Sequence, residues 1–216
     1  MAKQVKIKKE LSEEEFERIY EEFQKQIEEC KSIEDTIDMI QMIVKKVTPA
    51  QEIFLLNASE SGKALAAIVN ENYKDIDISK DNSMLAKCYR SREALFSNDI
   101  ARDTDYNEVI DNFSAYPLKN LLLLPIFNNE KEVSGIIWAA IPQKDINQYM
   151  QSDVEYMMRL CALLTQIIEK EQKSSKSPKK ENLEVKESAN EKKETTNKNN
   201  TSSIVKKMRS WLFNRI

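Results

Sequence analysis

Two long apolar runs in the second half of the chain dominate its pattern of hydrophobic and polar positions. They occupy residues 121–127 and 133–141, and the polar residues 128–132 between them have the length and composition of a hairpin loop. Strands that are apolar at successive positions must be covered on both faces. The pattern therefore predicts a buried antiparallel hairpin at the centre of a sheet, with helices supplying the cover.

Two amphipathic helices are predicted near the start of the chain. Ser12 followed by Glu15 forms a capping-box signature, and Ser32 with Asp35 starts a second helix that ends before Pro49. Alternating spacings of four and three place apolar residues at Phe16, Tyr20, Phe23, Ile27 and Cys30. This heptad seam predicts packing either on the rest of the chain or against the same helix of a second chain.

Shorter elements are predicted between these helices and the hairpin. Residues 52–57 and 64–69 have the pattern of two strands joined by a polar turn, and residues 84–92 that of a helix. The next expected elements are a strand at 94–97, a polar loop at 99–106 and a short helix at 107–115.

A long helix is predicted after the hairpin. The pair Ser152 and Glu155 resembles a second capping box, and the helical pattern continues to about Gln172. Apolar residues cover more than half of the circumference and include Leu160, Leu164 and Ile168. We therefore expect one flank of this helix on its own sheet and the other flank on a partner.

The composition changes after this helix. Residues 173–203 consist almost entirely of Lys, Glu, Ser, Asn and Thr and predict a disordered linker, because they cannot bury enough apolar surface to offset their chain entropy. Apolar residues return at 204–216, where a helix would be basic and amphipathic. Such a segment is typical of binding to an anionic membrane or to the groove of a partner protein, and folding back onto its own domain is the third alternative. The residues expected to bind are Lys206, Lys207, Met208, Arg209, Trp211, Leu212, Phe213 and Arg215.

Charge is divided unevenly along the chain. Residues 173–216 contain 12 Lys and Arg against 5 Asp and Glu, whereas residues 1–172 carry a net charge of −10 within the total of −3. An acidic body repels phosphate, so no nucleic-acid partner is expected.

The basic leader 1–9 lacks the apolar core of a signal peptide, and no run has transmembrane length. A cytoplasmic location is expected, peripheral at the inner membrane face if residues 204–216 bind lipid.

The chain contains no histidine, which excludes His-ligated haem, most catalytic zinc sites and catalytic triads that depend on imidazole. Its three cysteines, Cys30, Cys88 and Cys161, are widely spaced in apolar segments, so they are interpreted as reduced core or interface thiols. No metal or other cofactor is expected.

The order of the predicted elements, together with two stretches of sequence, resembles a GAF domain. The run MLAKCYRSREALFSNDIARDTDY at residues 84–106 is similar to the family's helix, strand and loop, and KNLLLLPIFNNEKEVSGIIWA at 119–139 is similar to its hairpin, with Pro125 and Gly135 in the expected places. The resemblance covers roughly residues 32–172 of a domain expected at 10–172. It implies an α+β, PAS-like fold with an antiparallel sheet of five to six strands flanked by helices, and frequent homodimerisation through the terminal helices.

The resemblance also implies where an unidentified small molecule would bind, namely between the sheet and the layer that contains the 97–106 loop. Asn98, Asp99, Arg102 and Tyr106 would orient it, and Phe96, Phe113 and Trp138 would form apolar walls. A structural alternative is that Asp99 and Asp103 cap their own turns.

Several family activities lack their residues in this chain. The cyclic-nucleotide signature is not reproduced around Asn107, Glu108 and Phe113, bilin binding requires a histidine, and the clustered cysteines of methionine sulfoxide reduction are missing around Cys88. The leading interpretation is a non-catalytic, dimeric regulatory module that residues 204–216 recruit to a membrane or a protein partner. The alternatives are a small-molecule sensor and a redox enzyme or sensor that uses Cys88.

Overall fold

A six-stranded antiparallel sheet forms the centre of the computed structural model, which describes residues 8–30, 32–68, 76–80, 82–128 and 130–175. The sheet order is β3-β2-β1-β6-β5-β4. The strands are β1 Glu52–Ala58, β2 Ala64–Ala67, β3 Ile76–Asp77, β4 Leu95–Ser97, β5 Leu118–Phe127 and β6 Val133–Pro142. The predicted hairpin is confirmed as β5 and β6, which lie inside the sheet between β1 and β4.

Helices cover both faces of this sheet. They are α1 Glu13–Glu29, α2 Ile33–Val47, α3 Met84–Ser91, α4 Glu108–Asp111 and α5 Gln151–Ser175, with a 3-10 turn at Ile100–Arg102. The capping box predicted for α1 is present, and Ser32 with Asp35, predicted to start α2, forms a capping box as well. The box predicted for α5 is wrong: this helix begins one residue earlier than Ser152, and the carboxylate of Asp153 accepts the backbone N–H of Met150 at 2.9 Å.

The two faces of β5 and β6 belong to two separate cores because side chains alternate across a strand. Leu122, Leu124 and Ile137 pack under α1, α2 and α5. Leu123, Trp138 and Ala140 pack on the opposite face with α3 and the segment around α4. The continuous apolar runs in the sequence are therefore explained by burial on both sides.

The second flank of α5 is covered by the chain's own first helix. The rings of Phe16 and Tyr156 stack with their centroids 4.1 Å apart. The guanidinium of Arg159 lies 4.7 Å from the Phe16 ring centroid and pairs with Glu13 at 2.8 Å and Glu17 at 2.5 Å. The apolar surface that predicted a partner is thus used inside the domain, where α1, α2 and α5 form one layer.

Gly135 lies where β1 and β6 approach most closely. A Cβ atom at this position would be 2.5 Å from the backbone carbonyl oxygen of Leu56, far inside van der Waals contact. A side chain here would push the two strands apart, so this position of the hairpin requires glycine.

Several predicted boundaries are wrong. The helix predicted at 107–115 is the four-residue α4, because Asn112 leaves the helical conformation and its side-chain oxygen accepts the N–H of Ser114. Strand β3 was missed, since it has only two residues within a polar stretch. Helix α5 continues to Ser175, beyond the expected start of the linker.

Candidate functional site

Three aromatic rings contact one another in the described region between the sheet and α4. The centroid of the Trp138 ring is 5.3 Å from that of Phe54 and 5.3 Å from that of Phe113, and Phe54 and Phe113 are 6.0 Å apart. Trp138 is 0% exposed, and its indole N–H donates to the backbone carbonyl of Asp111 at 2.7 Å. Trp138 and Phe113 therefore lie where the resemblance implies apolar walls, and there they pack against each other.

Asp111 is the central polar residue of this region, and the sequence reasoning missed it. Its buried carboxylate accepts the backbone N–H groups of Met84 at 2.9 Å, Leu85 at 3.0 Å and Asn107 at 2.8 Å. It thereby caps the N-terminus of α3 from another part of the chain. Burial raises the pKa of Asp111, while the N–H donors of Asn107, Leu85 and Met84 act in the opposite direction.

The prediction that Phe96 joins the same apolar wall is wrong. Phe96 is paired with Leu122 in the register of β4 and β5, and directly paired residues point to the same face of a sheet. Leu122 belongs to the core under α1, α2 and α5, so Phe96 lies on the face opposite to Trp138. At 37% exposure, its ring remains partly open to solvent at the edge of the sheet.

Asn98 links the end of β4 to the start of α5. Its amide nitrogen donates to the backbone carbonyl of Tyr149, and its amide oxygen accepts the N–H of Tyr149, both at 2.8 Å. The side chain that was expected to orient a ligand thus holds the segment that leads into α5.

The remaining loop candidates face solvent or the core. Asp99 and Arg102 are exposed and form an ion pair of 3.3 Å with each other. Tyr106 is half-buried and packs against the core that contains Trp138. Burial is the main cause that raises the pKa of Tyr106 to about 12, with smaller contributions from Glu108 and Asp111. Within the described residues, no hydrogen bond or ion pair joins Asn98, Asp99, Arg102 and Tyr106 into one cluster.

Burial raises the pKa of both buried cysteine thiols, Cys88 and Cys161. Cys88 is 0% exposed in α3, and burial strongly raises the pKa of its thiol. Burial also raises the pKa of Cys161 to about 12. A nucleophilic thiol requires the opposite shift, so the environment of Cys88 disfavours thiolate chemistry.

The predicted dimer seam is used within the chain, which is one of the two alternatives that its spacing left open. Phe16, Phe23, Ile27, Leu160 and Leu164 are buried in the core between α1, α2 and α5. Tyr20 and Cys30 are partly buried against that core, and the side chain of Ile168 lies outside the described part. Dimerisation itself stays a prediction.

The candidate binding residues at 206–215 also lie outside the described residues, as do the linker from residue 176 onwards and the first seven residues. Within the part of the chain that is described, no helix is long and apolar enough to cross a membrane.

Comparison with known proteins identifies the architecture. The family described as "GAF domain" matches residues 30–169 of the chain. No curated protein matches it.

Solved structures with the same fold are distant in sequence. The GAF domain of Acinetobacter phosphoenolpyruvate-protein phosphotransferase superposes with a TM-score of 0.57 at 12% identity, covering 76% of this chain and 97% of that one. Free methionine-R-sulfoxide reductase from Neisseria meningitidis gives 0.59 at 10% identity, covering 79% and 99%. Residues 122 to 287 of a methyl-accepting chemotaxis protein give 0.55 at 15% identity, covering 72% and 99%. At such identities the similarity establishes the fold alone.

Proposed function

The chain belongs to the GAF domain family, and on that premise we propose that it is a non-catalytic regulatory module whose C-terminal segment, residues 204–216, recruits it to an anionic membrane surface. The family is one of sensory and regulatory modules. The proposal places the protein in the cytoplasm, at the inner face of the membrane. It would regulate other macromolecules through contacts with its surface.

The packing around Trp138 is the single observation that carries this proposal. A GAF-type sensor of a small molecule needs space between the sheet and the layer of α3 and α4. Here Trp138, Phe113 and Phe54 contact one another in that region, and the indole N–H is already bonded to Asp111. A ligand would have to displace buried aromatic rings and break a buried hydrogen bond. This favours a module that acts by binding macromolecular surfaces over a small-molecule sensor.

The environment of Cys88 supports the absence of catalysis. Its thiol is enclosed in α3 and its pKa is raised by burial, so thiolate is scarce at neutral pH. The redox alternative would require the helix to open before Cys88 reacts.

Charge supports the assignment of membrane binding to residues 204–216. This segment contains four Lys and Arg residues and no Asp or Glu, together with Trp211 and Phe213. Basic residues are attracted to anionic lipid, and aromatic residues favour the interface between water and acyl chains. A single short segment binds weakly, so the proposal includes a homodimer that presents two copies. The dimer would have to use surface that α1, α2 and α5 leave exposed.

Co-sedimentation with lipid vesicles tests the proposal. The full chain is compared with a chain that ends at Ser175, using vesicles that contain phosphatidylserine and vesicles of phosphatidylcholine alone. The full chain is expected to pellet with anionic vesicles only, and the shortened chain is expected to stay in solution. Equal pelleting of the two chains would reject membrane recruitment and favour the protein partner that residues 204–216 also fit.

A further inference from the structure

A ledge borders the sheet where the edge strand β4 extends beyond the cover of α5. Helix α5 packs over β5, and β4 is the next strand outward and the last one on this side. Phe96 projects from β4 towards the helical face, because its partner Leu122 belongs to the core under α1, α2 and α5. Its ring is 37% exposed, so the described part of the helical layer covers it only in part.

Two hydrogen bonds fix the start of α5 beside the end of β4. The amide of Asn98, two residues after Phe96, donates to the backbone carbonyl of Tyr149 and accepts its N–H, both at 2.8 Å. Met150 follows Tyr149 directly and is 44% exposed. Phe96 and Met150 are therefore two apolar, partly exposed residues at the same junction between β4 and α5.

The flank of α5 that adjoins this junction is the one opposite to α1. Tyr156 and Arg159 contact α1, and at 100° per residue Met150 and Met158 fall on the other flank, about two turns apart. Met158 is only partly buried against the core of the helical face, as is the residue just before β4. We define the edge ledge by its floor, Ala94 and Phe96, and its wall, Met150 and Met158.

The chemistry of residues 204–216 complements the edge ledge. Exposed apolar side chains gathered at one place typically mark a contact site, and methionine adapts readily to the shape of a partner. Residues 204–216 combine apolar side chains, including Trp211 and Phe213, with four Lys and Arg and no Asp or Glu. The exposed carboxylates of Glu93 and Glu155 lie near the two sides of the ledge, in a domain of net negative charge. A second copy of the ledge would offer apolar surface without this opposite charge.

The sequence that continues from α5 also has the length to reach the edge ledge. Residues 204–216 are separated from Ser175, the end of α5, by 28 residues. The composition of these residues predicts a flexible linker, and a flexible chain of this length spans about 30 Å on average. Helix α5 has 25 residues and is about 37 Å long, so the ledge at its start is a similar distance from Ser175. A linker whose average span matches the distance gives the tethered segment its highest effective concentration.

We propose that residues 204–216 of the same chain dock on the edge ledge, with their apolar side chains against Phe96, Met150 and Met158. The same segment is the one proposed to bind anionic membranes, so the two contacts exclude each other. Docking on the acidic domain holds the segment back until anionic lipid competes for it. This competition rests on the proposed function, whereas the docking itself does not.

Fluorescence of the full chain without vesicles tests the docking. The difference between the spectra of a chain and of its Trp211→Phe counterpart reports on Trp211, and acrylamide quenching of that difference measures the exposure of the indole. Met150→Gln and Phe96→Ser each remove apolar surface from the ledge without adding charge. In both variants, the Trp211 emission should move to longer wavelength and its quenching should increase.

Val109→Gln is the matched control, because it removes an apolar side chain at a 93% exposed position of α4, away from the ledge. Its Trp211 emission should equal that of the wild type at every protein concentration. Met150→Gln changes an exposed position, so it remains informative if Phe96→Ser does not fold.

Titration with vesicles that contain phosphatidylserine tests the competition. If about nine-tenths of the molecules are docked, only the remaining tenth is free to bind lipid, so releasing the segment should strengthen vesicle binding about tenfold. Met150→Gln should therefore bind vesicles more tightly than the wild type and Val109→Gln do. Because one side of the ledge is open to solvent, lipid insertion should still shift the Trp211 emission of the wild type to shorter wavelength.

Three outcomes would overturn the inference. Equal Trp211 emission and quenching in Met150→Gln, Phe96→Ser and Val109→Gln would remove the docking. A Trp211 signal that changes with protein concentration would mean that a second copy supplies the segment. Weaker vesicle binding by Met150→Gln would mean that the ledge itself contacts lipid. If no chain binds vesicles, the proposed recruitment fails, and the Trp211 measurements without vesicles still decide the docking.

Discussion

The indole N–H of Trp138 donates a 2.7 Å hydrogen bond to the backbone carbonyl of Asp111. This bond ties the middle of β6 to the end of α4, and the carboxylate of Asp111 in turn caps α3. One residue of a four-residue helix thus connects the central strand to the helical layer above it. The packing of Trp138, Phe113 and Phe54 around this connection is the basis for proposing that the module acts through its surface.

Trp138→Phe tests the contribution of that bond. The substitution leaves a void beside Phe113 and removes the only donor that the described structure gives to the Asp111 carbonyl. We expect the free energy of unfolding to fall by about 2–4 kcal/mol. Urea denaturation followed by circular dichroism measures it. Val109→Ala, at a highly exposed position of α4, is the control and should change stability by less than about 0.5 kcal/mol. Equal effects of the two substitutions would contradict this role.

Asp111→Asn tests the cap on α3. The amide retains one acceptor oxygen and directs an NH₂ group towards backbone N–H donors, so we expect a loss of about 1–3 kcal/mol at pH 7. Because burial raises the pKa of Asp111, the folded state binds more protons than the unfolded state above the unfolded value of about 4. The contribution of this carboxyl is therefore present at low pH and declines as pH rises through the folded pKa.

The pH dependence of the difference in unfolding free energy between the wild type and Asp111→Asn isolates that contribution. The difference should be larger at pH 4 than at pH 7. A difference that grows with increasing pH would mean that the three N–H donors outweigh burial and hold the pKa low.

The hairpin was predictable from sequence because both faces of β5 and β6 are buried, which leaves an uninterrupted apolar signal. The role of Asp111 was missed, since a carboxylate in a short polar helix has the pattern of a solvent-exposed residue. A usable signal was its position four residues after Asn107, between Ile110 and Phe113, which places it on the inner side of the turn.

The position of Phe96 required the register of the sheet. Its neighbours in sequence suggested a pocket wall, but the side of a strand on which a residue lies depends on its partner, here Leu122. The width of the apolar surface of α5 was predictable, whereas the element that packs on its second flank was not. Periodicity does not distinguish a helix of the same chain from that of a second chain, and the described structure places α1 there.

Gly135→Ala tests the close approach of β1 to β6. The added Cβ would lie 2.5 Å from the carbonyl oxygen of Leu56, and backbone cannot yield as a flexible side chain can. We expect a loss of about 1–3 kcal/mol from the strand displacement. Ser134→Ala, at the neighbouring half-buried position, is the control and should cost less. Thermal melts of the two variants measure the difference, and a Gly135→Ala variant as stable as the wild type would contradict the geometry.

Thiol alkylation tests the assignment of Cys88 to the core. Cys88 and Cys161 are buried and Cys30 is partly exposed, so iodoacetamide should modify Cys30 first in the native protein. Burial raises the pKa of Cys30 as well, so even this reaction should be slow. Mass spectrometry of Cys30→Ser should find no modification until denaturant is added. Rapid native alkylation of Cys88 would restore the redox alternative.

The emission of Trp211 in the presence of vesicles tests the proposed recruitment most directly. Trp138 is buried and Trp211 lies in residues 204–216, so the difference between the spectra of the full chain and Trp211→Phe reports on Trp211. We predict that this difference spectrum shifts to shorter wavelength with vesicles that contain phosphatidylserine and stays unchanged with phosphatidylcholine alone. An unchanged spectrum with anionic vesicles at low ionic strength would contradict membrane recruitment.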